Sequence, residues 1–111
     1  MHKIMPFSLD DLAANSKEVQ DSVNTACCRR TTKYRLRGVA QIEEHVYFFL
    51  LPRGSEEEME DYVFAPLEES VAHEDIIGMI SDRWSAGFDL VGSFDVYGTL
   101  FMVYARKQEN D

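Results

Sequence analysis

The side chains able to do chemistry fall into four groups. Cys27 and Cys28 are adjacent and stand just ahead of Arg29, Arg30 and Lys33. Nearby positive charge favours thiolate, the form that senses oxidants or binds soft metals. Cys27 also continues an apolar helical face, where a thiol acts as a small core residue, and this structural reading is the preferred one. The three histidines, His2, His45 and His73, are scattered and lack the spacing of a metal site. No residue is therefore assigned to catalysis, a metal or a cofactor.

The third group is a basic comb. Lys33, Arg35 and Arg37 alternate along an expected strand, with Arg30 just before it, and no acidic residue occurs between Asn24 and Ile42. Such a comb suits an acidic ligand, and Arg30, Lys33, Arg35 and Arg37 are the candidate ligand-binding residues. Two plainer readings compete: pairing with the chain's own acids, and a charged edge strand that blocks unwanted sheet addition. The fourth group is that acidic set, Glu56, Glu57, Glu58 and Glu60, a candidate interaction surface for a basic protein.

These groups are positioned by elements whose periods are legible. Ser8 is a suitable N-cap, and Leu9, Leu12, Val19, Val23 and Cys27 trace a helix to about residue 27, with Asn15-Ser16 as a weak point. The period changes to two from Thr31 to Ile42, with Tyr34, Leu36, Ala40 and Ile42 expected on one face and a bulge or a close approach expected at Gly38. Glu43-Glu44 is a turn, and His45 to Leu51 a central apolar strand, expected to be covered on both faces and ended by Pro52. Tyr62 to Ala65 reads as a short strand, Leu67 to Ala72 as loop or helix, and His73 to Ala86 as a second helix. Gly87 stops that helix, and two strands joined by a turn at Asp95 to Gly98 complete the chain. No internal repeat is evident.

The segment Ile76 to Lys107 resembles a family of small bacterial α+β domains of unknown function. The likeness rests on Gly87-Phe88-Asp89-Leu90-Val91 and on Phe101-Met102-Val103-Tyr104-Ala105-Arg106-Lys107. The family more often carries Trp where Phe88 stands. The resemblance implies an α+β fold and lends no catalytic residues.

With 111 residues and 45% hydrophobic content, residues 1–111 are expected to form one α+β domain. The expected architecture is a single layer of four to five mainly antiparallel strands with two helices on one face. A net charge of −9 argues against nucleic acid as a partner. No apolar run is long enough for a membrane span, and the absence of a secretory signal points to the cytoplasm. Two helices cover one sheet face only, so the other stays partly apolar. The leading functional expectation is a non-enzymatic interaction or regulatory module that self-associates through its sheet as a homodimer. The alternatives are a small acidic inhibitor presenting the glutamate cluster to an unidentified protein partner, and a ligand binder or enzyme with a pocket between sheet and helices.

Overall fold

A computed structural model of the chain describes residues 2–28, 34–54, 60–67 and 72–107. The elements in order are β1 (Lys3–Ser8), α1 (Leu9–Cys28), β2 (Tyr34–Ile42), β3 (His45–Pro52), β4 (Glu60–Pro66), α2 (His73–Ser85), β5 (Phe88–Val96) and β6 (Thr99–Lys107). The class is α+β, as expected. The single layer is not: among the described residues six strands form two antiparallel sheets of three, ordered β1-β3-β2 and β4-β6-β5. The unforeseen strand is β1, an edge strand, where Pro6 is tolerated because one side of the backbone needs no ladder partner.

Local signals explain the element boundaries. The Ser8 hydroxyl accepts the Asp11 N–H at 3.1 Å, capping α1. Asn15 departs from helical geometry (φ −137°, ψ 43°), placing a kink at the expected weak point. Gly87 (φ 95°) closes the end of α2 in the left-handed region. Tyr97 and Gly98, both at positive φ, make the tight turn between β5 and β6. The Tyr97 hydroxyl donates to the Asp10 carboxylate, tying this turn to the start of α1 and raising the phenol pKa.

The chain is a duplicated β-α-β-β unit, which overturns the expectation of no repeat. Each half places its third strand centrally, between the first and the second. Each second strand has a bulge directly after a leucine, between Leu36 and Gly38 in one half and Leu90 and Gly92 in the other. The register matches residue for residue: Leu50 of β3 corresponds to Tyr104 of β6, Phe48 to Met102 and Phe49 to Val103. In the first strands Pro6, opposite Tyr47, corresponds to Pro66, opposite Phe101.

The two sheets converge where β2 crosses β5, and α1 lies between the diverging edges, against β1 and β4. The core fills this wedge. Leu12 and Val23 of α1, Leu36, Phe48 and Leu50 of the first sheet, and Phe64, Phe94 and Val103 of the second meet there. Phe48 stacks on Phe64 with centroids 5.4 Å apart and meets Phe94 edge-on at 5.9 Å. The helices therefore do not share one sheet face. α1 is inside, while α2 lies chiefly along β5, on the far side of the second sheet, and has no buried residue.

Candidate functional site

The bulge in β2 re-aims its side chains. Leu36 points inward and is fully buried. Beyond the bulge Val39 takes the inward position, packing on the core, and Ile42 is 58% exposed. The expected common face for Leu36, Ala40 and Ile42 is thus corrected: one extra residue shifts the period, placing Ala40 and Ile42 on the outer face. At the crossing, Val39 approaches Gly92 so closely that a Cβ there would lie 2.8 Å from Val39 Cγ2. Gln41 on β2 closes the crossing by bonding both backbone groups of Asp95, donating at 2.7 Å and accepting at 2.8 Å.

The candidate charges meet each other. Arg35 donates to Glu60 Oε1 at 2.5 Å, joining the basic comb to the acidic set. Glu60 is 7% exposed and its other oxygen accepts the Tyr62 hydroxyl at 3.1 Å. That hydroxyl also accepts the Leu36 N–H at 2.8 Å. Burial pushes the Tyr62 phenol well above its ordinary pKa, with the Leu36 bond opposing and the nearby Cys27 and Glu60 adding. Arg35 and Glu60 therefore form a seam between the halves. Arg37 is exposed. Arg30, Lys33, Glu56, Glu57 and Glu58 lie outside the described residues. Cys27 is 1% exposed, in the core. Among the described residues no three His, Cys, Asp or Glu side chains converge as metal ligands, and no helix is long and apolar enough to cross a membrane.

A second seam is made of amides. Asn24 of α1 accepts the Tyr62 N–H at 2.7 Å and donates to the Tyr62 carbonyl at 3.0 Å, and Gln20, one turn earlier, accepts the Phe64 N–H at 2.9 Å. Helix α1 thereby satisfies the free edge of β4, which would otherwise offer itself to another strand.

Two apolar surfaces remain among the described residues, and the first means that β3 is not covered on both faces as expected. One is the outer face of the first sheet. Val46, Phe48 and Leu50 point into the wedge and are fully buried. The pleat sends Tyr47, Phe49 and Leu51 the other way, where they are half-buried beside Ile4, which is 55% exposed. In the second sheet this same face is the buried one: Val103 and Ala105, corresponding to Phe49 and Leu51, are 0% and 5% exposed. The other surface is α2. Asp82, Arg83 and Ala86 line a groove beside Val63, as Asp21, Ser22 and Thr25 of α1 line one beside Lys3. The helices thus align with Trp84 in the place of Val23, yet Trp84 is 67% exposed and Val23 is fully buried.

The apolar run of β3 foreshadows the open sheet face. The exposed stripe of α2 is not separable by sequence from an ordinary core stripe. No known protein family, curated protein or solved structure matches the chain significantly.

Proposed function

We propose that the protein is a self-associating module in which α2 of one copy seats on the open face of the first sheet of another. The observation that carries this reading is the mismatch between the halves. Within the chain, the face bearing Val103 and Ala105 is covered by the first half with its helix α1. The corresponding face, bearing Phe49 and Leu51, has no such cover among the described residues, and the helix corresponding to α1 shows Ile77 and Trp84 to solvent at 59% and 67% exposure. A second copy supplies both missing parts at once. Apolar patches left on each side of such a pair favour association. Charge assists: α2 carries Glu74, Asp75 and Asp82, and the first sheet presents the exposed Arg37. Two reciprocal contacts of this kind close a dimer when the rotation between copies permits.

Sedimentation of the full chain at roughly 100 µM, a range that reads weak association, tests the proposal. The wild type sediments as an oligomer. Phe49→Glu and Trp84→Glu each sediment as monomers, and an equimolar mixture of the two re-associates, because each retains the surface its partner has lost. A monomeric wild type, or a Trp84→Glu variant that associates as well as the wild type, overturns the reading.

A further inference from the structure

A cavity of about 290 Å³ opens between α2 and the outer face of the second sheet, lined by Val63, Asp82, Arg83, Ala86, Phe88 and Tyr104. Three of its features point to a ligand. Its walls are mainly apolar, with the Phe88 ring, the Val63 side chain and Ala86 in the lining. Tyr104 is 1% exposed, and its hydroxyl oxygen is buried with no hydrogen-bond partner among the described residues. A buried hydroxyl normally finds a partner, because leaving it unpaired costs the full desolvation of the group. Third, the Arg83 guanidinium lies 4.9 Å from the centroid of the Tyr104 ring, which places a cation beside the phenol, and no acidic side chain pairs with Arg83 among the described residues.

We infer that this cavity is a binding site for a small aromatic monocarboxylate. The ligand's ring lies among Phe88, Val63 and Ala86, and its carboxylate accepts hydrogen bonds from the Tyr104 hydroxyl and the Arg83 guanidinium. An apolar cleft with a few convergent polar groups is the usual form of a small-molecule site, and the volume is at the lower end of the range for such sites. Asp82 in the same lining sets the charge limit, since a neighbouring carboxylate disfavours a dianion such as a phosphate monoester. The corresponding groove in the first half, lined by Lys3, Met5, Asp21, Ser22, Thr25 and Ala26, stays open beside the packed sheets. The lining of the cavity at Tyr104 includes neither Ile77 nor Trp84, so the inference does not depend on self-association.

Amide-resolved NMR titration of the full chain with 1-naphthoate tests the inference, with neutral 1-naphthalenemethanol as the control. Naphthoate is expected to shift the amides of Val63, Arg83, Phe88 and Tyr104 at low-millimolar concentration or below, and to bind at least about tenfold more tightly than the alcohol, the usual scale of a charge-assisted hydrogen bond. Arg83→Gln, at an accessible helix position, weakens naphthoate by at least about tenfold and the alcohol by no more than about threefold, so the preference is lost. Tyr104→Phe keeps the packing ring and weakens naphthoate roughly fivefold, as loss of one hydrogen bond does. The inference is overturned if naphthoate shifts none of these amides at about 10 mM, weaker than any specific site. Shifts that map instead to Tyr47, Phe49 and Leu51, or equal binding of acid and alcohol in wild type and Arg83→Gln, overturn it as well.

Discussion

The two halves share a plan and differ in what covers them. In the first, α1 runs for 20 residues, contributes Leu12, Val19, Val23 and Ala26 to the core, and reaches across with Gln20 and Asn24 to the edge of β4. In the second, α2 runs for 13 residues, buries none of them, and leaves an aromatic outward where its counterpart holds a buried valine. The sheets show the reverse. The second sheet is covered on one face by the wedge core and on the other by α2, so that Met102 and Tyr104 are buried outside the main cluster. Among the described residues the first sheet is covered on its inner face alone. Repeats that stack in one direction leave one end of the stack with an uncovered sheet and the other with an uncovered helix. Of the large exposed apolar residues, Ile4, Ile42, Ile77 and Trp84 sit at those two ends.

The sharpest test of the contrast is between the helices. Leu12→Ala is expected to cost about 2–5 kcal/mol in urea unfolding, the range for emptying a fully buried leucine site. Ile77→Ala, at 59% exposure, is expected to change unfolding of the monomer by less than about 0.5 kcal/mol. Equal costs would show that α2 is as much part of the core as α1. The glycines after the two bulges give the next contrast. At Gly92 an added Cβ meets Val39 at 2.8 Å, whereas at Gly38 the nearest atom, on Phe49, is 3.5 Å away. Gly92→Ala should destabilise by about 1–3 kcal/mol through overpacking, and Gly38→Ala by a few tenths at most, since its contact is ordinary. A reversed order would mean that the β2–β5 crossing is loose.

The last contrast concerns the bond between the halves. Tyr62→Phe removes the hydroxyl that serves both Leu36 and Glu60, with an expected loss of about 1–2 kcal/mol at neutral pH. The folded phenol has a raised pKa, so its stabilisation is complete below the unfolded value near 10 and declines as pH climbs above it. The wild type should therefore lose stability above about pH 10 more steeply than Tyr62→Phe, as read from urea midpoints across pH 8–11. Parallel alkaline limbs would remove Tyr62 from the seam.

Periodicity made most elements legible. Ser8, Asn15, Gly38, Gly87 and the Tyr97-Gly98 turn all acted where local stereochemistry said they would. The strand β1 was hidden because Lys3-Ile4-Met5-Pro6-Phe7-Ser8 is short and holds a proline. The repeat was hidden because the halves share little beyond an aromatic-x-Leu-x-Gly pattern, Tyr34 to Gly38 and Phe88 to Gly92, and because their helices differ in length. That pattern, followed in each case by a turn and an apolar strand, is the signal by which the repeat can be found. Of the basic comb, Arg35 turns to Glu60 while Arg37 stays in solvent, because the bulge between them breaks the two-residue period; Arg30 and Lys33 lie outside the described residues.

By itself the sequence determined the local conformations, the α+β class and the surplus of apolar strand surface, because these follow from side-chain period, capping and backbone sterics. Tertiary structure alone decided that the strands divide into two sheets, that α1 goes inside and α2 outside, and that Tyr104 is buried beside a cavity. Those outcomes depend on which faces meet, and two faces of equal hydrophobicity are indistinguishable until packing covers one and leaves the other.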